Sequence, residues 1–182
     1  MLFRSGHIKA DPLNGYRTNL PGVFAVGDVI GPPWLAHVAH HEAICCIERL
    51  CGHADRTVDY SNIPGCTYTD PGVASVGLTE AAARAAGHEV RIGRFPFLAS
   101  GRALASDETE GFVMLVFDAK HGELLGAHLV GSQATELIAE LVMAKKLEAT
   151  EEEIIHAMHP HPTFSEAVME AAGQAVGESV HI

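Results

Sequence analysis

Cys66-Thr67-Tyr68-Thr69-Asp70-Pro71-Gly72-Val73-Ala74-Ser75-Val76 decides how the larger part of this chain is read. Two β-prone runs, Cys66 to Thr69 and Val73 to Val76, flank Asp70-Pro71-Gly72, a turn signal in which proline presets the backbone and glycine frees it to reverse. The expectation is strand, turn, strand. Thr79 then offers a side-chain oxygen to a helix rich in alanine through Ala86, with Glu80 favourably in its first turn and Gly87 as its stop.

Downstream, Val90 to Phe97, Phe112 to Phe117 after Gly111, and Leu124 to Val130 after His121-Gly122 are further strand candidates. Together they predict an antiparallel sheet. Ser132 is expected to cap a helix whose Ala134, Leu137, Ile138, Leu141 and Val142 recur at three and four residues, one buried stripe. Thr150-Glu151-Glu152-Glu153 fits a capping box opening a short helix through Met158, and Thr163-Phe164-Ser165-Glu166 fits another. Upstream, His53 to Pro64 is polar and ends in proline, which places a domain boundary there and divides the chain into 1–56 and 61–182. Before it, Val23 to Val26 reads as a strand ending in Gly27-Asp28, followed by a Gly31-Pro32-Pro33 turn and a helix from about Leu35 to Leu50. The predicted class is α+β: an antiparallel sheet flanked by helices, preceded by a short strand-loop-helix segment.

With 182 residues, 47% of them hydrophobic, the chain has enough apolar surface for a core. No apolar run approaches the roughly 18 residues of a membrane span, and Arg4, His7 and Lys9 interrupt any secretory segment, so a soluble cytoplasmic protein is expected. Twelve Lys and Arg against 23 Asp and Glu leave a formal charge of -11, which repels nucleic acid and anionic lipid and favours a basic partner. Cys45, Cys46, Cys51 and Cys66 are few for a disulfide scaffold. Cys46 and Cys51 lie five apart on the predicted helix, roughly 7.5 Å along its axis, too far for a bridge without backbone movement. Buried reduced thiols are expected.

His161-Pro162-Thr163-Phe164-Ser165-Glu166 carries the chemistry. A carboxylate bonded to one imidazole nitrogen fixes the tautomer and favours the protonated ring, which equips His161 and Glu166 as a general acid/base pair. Read as residues alone, Glu166 also serves as the last member of a capping box, and both roles are compatible. His159 has a structural reading beside Pro160, and Pro160 and Pro162 force extended geometry on the residues before them. His37, His41 and Cys45 share a helical face, but they lack the paired ligand spacing of a structural zinc site, and no metal is expected. Gly27-Asp28, taken alone, is a plain turn.

Preceded by His159-Pro160, the His161 run resembles the C-terminal active-site segment of the dihydrolipoyl dehydrogenases, flavoproteins of the pyridine nucleotide-disulfide oxidoreductase family. Thr18-Asn19-Leu20-Pro21-Gly22-Val23-Phe24-Ala25-Val26-Gly27-Asp28 looks like that family's second flavin-binding segment. Tyr68 to Glu80, Arg94-Phe95-Pro96-Phe97, Gly111-Phe112-Val113 and Leu125-Gly126-Ala127-His128 resemble landmarks of its C-terminal dimerisation domain. The similarity covers essentially Gly6 to Ile182. Met114 stands where a lysine is common and Ala43 where glycine is common; neither touches the proposed pair. The glutathione reductase branch shares His-Pro-Thr and the glutamate, but the doubled His-Pro looks closer to the lipoamide branch.

The resemblance implies an enzyme that passes electrons from a dihydrolipoyl group through a cysteine disulfide and FAD to NAD. It assigns the acid/base roles to His161 and Glu166 and flavin contacts to Gly27, Asp28, Leu35, Ala36 and His37. It makes 1–56 the end of an FAD-binding α/β domain and 61–182 the dimerisation domain of a homodimer. A lipoyl-bearing acyltransferase of a 2-oxo acid dehydrogenase complex is the implied partner. No G-x-G-x-x-G follows a strand and no Gly-rich redox-cysteine segment occurs, so the chain is expected to be a C-terminal fragment lacking the NAD site and inactive alone. Met1 to Ser5 does not match the family and is expected to be an assembly artefact. Two alternatives stand beside this: another disulfide reductase of the family, and a dimerisation module without enzymatic activity.

Overall fold

In the computed structural model of the chain, residues 3–4, 6–53 and 55–181 are described. Of Met1 to Ser5, the expected artefact, Met1, Leu2 and Ser5 lie outside the described residues. Contacts divide the chain into two units, Met1–Tyr60 and Ser61–Ile182.

In the first unit, Phe3–Arg4 (β1) pairs antiparallel with His7–Ile8 (β2). Asp11 then caps a short turn at Pro12–Asn14, and left-handed Gly15 leads into the fully buried Tyr16. Val23 to Val26 does not form the expected strand. Its pairing is reduced to one bridge, Arg17↔Phe24, because the chain doubles back for a single residue pair before Gly27, at φ 74, turns it into the 3-10 segment Gly27–Ile30. Helix α1 spans Ala36–Leu50, one residue inside the expected start, with Leu35 as its extended N-cap. Its buried residues are Val38, Glu42 and Cys46, spaced by four so that they line one face.

The second unit holds a five-stranded antiparallel sheet with strands β3 (Gly65–Thr67), β4 (Gly72–Gly77), β5 (Val90–Pro96), β6 (Phe112–Asp118) and β7 (Leu124–Gly131), ordered β3-β4-β7-β6-β5. The turn between β3 and β4 brings Cys66 opposite Ala74, as the opening stretch predicts. In β4, Gly72, Ala74 and Val76 are buried while Val73 and Gly77 are exposed, the alternation of a sheet with one covered face. Helix α2 (Glu80–Ala85) starts where Thr79 Oγ1 accepts the Ala82 N–H at 3.1 Å.

A short helix that the sequence reading passed over, α3 (Gly101–Ser106), follows β5, its N-terminus held by the Ser100 hydroxyl. The segments α4 (Ala134–Lys146), α5 (Glu151–His156) and α6 (Glu166–Val176) complete the unit. Ser132 is not the cap of α4. The helix starts one residue later than that assignment requires, at Ala134, with Gln133 at the cap position and no side chain capping it. The stripe is nevertheless real: Ala134, Ile138 and Leu141 are buried against β4 and β7.

Phe95, Val113, Leu115, Phe117, Leu124 and Leu129 meet Ile138, Leu141, Val168 and Ala171 in one core, each large apolar side chain contributing roughly 1.5–3 kcal/mol. Contact between α6 and β5 is backbone-close: a Cβ added to Gly93 would sit 1.7 Å from the carbonyl oxygen of Ala171. Glu170 of α6, 3% exposed, gathers the C-terminal segment by accepting from the Ser179 hydroxyl at 2.6 Å and the Val180 N–H at 3.0 Å. Between β6 and β7 the Asp118 carboxylate accepts from His88 Nδ1 at 2.8 Å and from the His121 and Lys120 amides, bonds that hold its carboxyl down at about 2. No helix among the described residues is long and apolar enough to cross a membrane.

Candidate functional site

The segment between α5 and α6 is shaped from both ends. Thr150 and Glu153 make a full capping box at the start of α5. The helix ends at His156 rather than Met158, and Ala157 turns extended. The His161–Pro162 peptide bond is cis. Thr163 Oγ1 donates to the Pro160 carbonyl at 2.7 Å and bonds the Ser165 hydroxyl at 2.8 Å, so it does not cap α6; Ser165 occupies the cap position.

Half of the expected capping box survives, in Glu166. Its Oε2 accepts the Thr163 N–H at 2.8 Å, and its Oε1 lies 2.8 Å from His161 Nδ1. Burial pushes this carboxyl upward, but the Thr163 amide and the His161 ring together outweigh it and hold the group below its ordinary value. An ionised carboxylate only accepts, so Nδ1 carries the hydrogen and Nε2 is the basic nitrogen of the neutral ring. The His161 side chain is 78% exposed, and none of the described residues bonds Nε2. The arrangement offers a free basic nitrogen to an incoming proton donor, with an anion behind the ring to stabilise the imidazolium. The His159 side chain is instead buried, its Nε2 2.8 Å from Glu140 Oε1.

In the first unit Gly27 takes its left-handed conformation, and a Cβ there would meet the Ala39 side chain at 3.0 Å. Asp28 follows with its side chain exposed. Leu35 is half-buried, Ala36 and His37 are exposed at the start of α1, and no side chain caps that helix. Uncapped helical amides and an outward carboxylate suit an electron-rich ring edge and a hydroxyl donor respectively.

A residue that the sequence reading passed over organises this loop. Glu42, 3% exposed, accepts the Gly27 N–H and the Tyr60 hydroxyl, each at 2.6 Å, and Tyr60 in turn meets Tyr16 at 3.2 Å. Burial, with Glu42 next to it, pushes the Tyr60 hydroxyl up, so it stays a donor. The available signal was a carboxylate on the same face of α1 as Val38 and Cys46. Glu42→Ala is expected to cost about 1–3 kcal/mol for each of the two donors left unpaired, and to raise the amide exchange rate at Gly27 measured by hydrogen–deuterium exchange.

All four cysteines are free. Cys46 is buried and Cys45 and Cys66 are half-buried, with their thiols pushed up by burial and so poor thiolates. Cys51 corrects the expectation of buried thiols: it follows the last turn of α1 and is exposed. Among the described residues no three His, Cys, Asp or Glu side chains converge as a metal site would require.

Residues 63–172 match the pyridine nucleotide-disulphide oxidoreductase dimerisation domain. The chain is similar to the dihydrolipoyl dehydrogenase of Rhizobium etli, 52% identical over 90% of this chain and 34% of the relative. It is also similar to that of Zymomonas mobilis, 50% identical over 91% and 36%, and to the mitochondrial enzyme of Pisum sativum, 43% identical over 92% and 33%. It therefore spans about a third of the length of the curated relatives it matches. Among solved structures, LpdA of Mycobacterium tuberculosis superposes with a TM-score of 0.87 at 26% identity, over 94% of this chain and 37% of that one.

Proposed function

Because this chain belongs to the pyridine nucleotide-disulphide oxidoreductases, we propose that it is the C-terminal part of a FAD- and NAD-dependent dihydrolipoyl dehydrogenase that oxidises protein-bound dihydrolipoamide. The observation that carries this is the His161–Glu166 pair, with a free Nε2 on an exposed ring and an ionised carboxylate on the other nitrogen.

In this reading a substrate S–H bond breaks as its proton passes to Nε2, leaving a thiolate and an imidazolium. Glu166 holds the ring in the competent tautomer and stabilises its charge. The thiolate then attacks one sulfur of a disulfide supplied by a second copy of the enzyme; the S–S bond breaks and the other cysteine leaves as a thiolate. The second substrate thiol displaces the first cysteine, closing the lipoyl disulfide and leaving the two cysteines as thiol and thiolate with the other proton on the imidazolium. Leu98, Leu104 and Met158 of the second unit, 65%, 57% and 97% exposed, are apolar side chains that such a homodimer would cover. A bound FAD would supply the acceptor for the electron pair of the reduced dithiol, with NAD as the final acceptor. The residues here fit one half of a flavin site: Gly27 and Asp28 would meet the ribityl chain, and the N-terminus formed by Leu35, Ala36 and His37 the pyrimidine edge. Glu42 keeps Gly27 in place for that contact. The formal charge of -11 favours a basic docking segment on a lipoyl-bearing acyltransferase.

The test is a graft of residues 6–182 in place of the matching third of the Rhizobium etli enzyme. Dihydrolipoamide-dependent NADH formation is expected, with reduced glutathione a poor substrate. A preference for glutathione would favour another disulfide reductase, and a folded, flavin-loaded graft without turnover would favour an inert dimerisation module.

A further inference from the structure

We propose that His159 is a positioning residue: bridged between the Ala157 carbonyl and the Glu140 carboxylate, its ring ties the loop bearing His161 to α4. The inference rests on the reading of His161 as the acid/base and deepens it.

His159 is unlike its neighbour. Its side chain is 6% exposed, against 78% for His161, so a substrate thiol has no access to it. Its Nδ1 lies 2.9 Å from the Ala157 carbonyl oxygen and its Nε2 lies 2.8 Å from Glu140 Oε1. Both partners only accept. Each ring nitrogen must then carry a hydrogen, and the ring is an imidazolium. The Glu140 bond raises its pKa, burial opposes this, and the charges of Glu140 and Glu166 and the Ala157 bond raise it further.

A ring fixed at 159 has a short path to the ring at 161. His159 and His161 each precede a proline, which restricts their backbones, and Pro160 has a fixed φ. Few free rotations separate the two rings. On the far side the loop is closed by the bonds of Thr163 to the Pro160 carbonyl and to Glu166. Glu166 thus aims the His161 ring from α6, while His159 anchors the backbone beneath it to α4, 19 residues back along the chain at Glu140.

The charged groups facing the ring are Glu140 of α4 and Glu166 of α6. Since the folded pKa lies above the unfolded one, the tether is complete below the unfolded value and is lost as pH rises through the folded one. Two measurements test the proposal. In the 182-residue chain, two-bond 1H–15N spectra should show both His159 nitrogens protonated and titrating at higher pH than an unperturbed imidazole. A neutral single tautomer at pH 6 would overturn it.

In the Rhizobium etli graft, His159→Leu and Glu140→Ala should each lower kcat roughly tenfold to a hundredfold, with KM for dihydrolipoamide, the flavin spectrum and dimer content unchanged. His159→Gln, which retains one donor, should recover part of the loss. Unchanged kcat in both variants, or a loss matched by loss of dimer, would overturn the positioning role. Should His159→Leu fail to fold, Glu140→Ala decides, because that carboxylate is partly exposed and its removal leaves the core intact. His161→Gln is the reference: if it abolishes turnover while Glu140→Ala leaves kcat unchanged, only the positioning role fails, and if it leaves turnover intact, the acid/base reading fails with it.

Discussion

His161→Gln in the grafted enzyme is expected to lower dihydrolipoamide turnover by ~10²–10⁴-fold, the usual contribution of a positioned general acid/base. Glutamine keeps the size and polarity of the ring but has no group that takes a proton near neutral pH. The loss should fall on kcat and kcat/KM together, because proton removal belongs to the transition state rather than to substrate binding. Glu166→Gln should cost less than removing the ring: its one amide oxygen can still accept from Nδ1, while the anion behind the ring disappears and the amide NH2 is left facing the Thr163 N–H. Stopped-flow reduction of the enzyme by dihydrolipoamide isolates this half-reaction from the later oxidation by NAD. A His161→Gln variant reduced at the original rate would remove the histidine from the chemistry.

Gly93→Ala is the change expected to harm the fold most, costing the second unit about 3 kcal/mol or more. The new methyl group would have to occupy a position 1.7 Å from the Ala171 carbonyl oxygen, backbone rather than a yielding side chain. Relief requires α6 to lift from β5. Apolar contacts of Val168 and Ala171 with the sheet would open, as would the bond between the Arg94 amide and Gln174. Urea titration of the isolated chain measures this, and a change within about 0.5 kcal/mol, the range of an indifferent surface site, would show that helix and strand are not so tightly apposed. Because Glu166 opens α6, the same variant should also loosen the His161 pair.

What could be read from residues alone follows from the range of the physics involved. Strands β4 to β7 announced themselves because alternation and Gly or Pro stops are local, and the sheet repeats them: Gly72, Ala74 and Val76 are buried in turn, with Pro71 before and Gly77 after. The His161–Glu166 contact was within reach for the same reason, since its partners lie five residues apart at a helix start. Val23 to Val26 has the composition of a strand, but a strand is a pairing, and among the described residues of this unit the run makes one bridge, Arg17 with Phe24. Ser132 is a good capping residue overruled by where the chain leaves β7. Glu42 and Glu140 were invisible because each acts across 15 and 19 residues on a backbone amide and a ring whose approach depends on the whole unit. Polar residues with long-range partners are where local pattern stops informing.

Glu166 spends one oxygen on the peptide group that opens α6 and the other on the imidazole. Fraying at that end of the helix and drift of the His161 ring are thereby a single coordinate. On the proposed acid/base reading, whatever unwinds the first turn in the grafted enzyme, heat or denaturant, is expected to blunt turnover before the sheet melts, so inactivation should precede global unfolding and report on one turn of backbone.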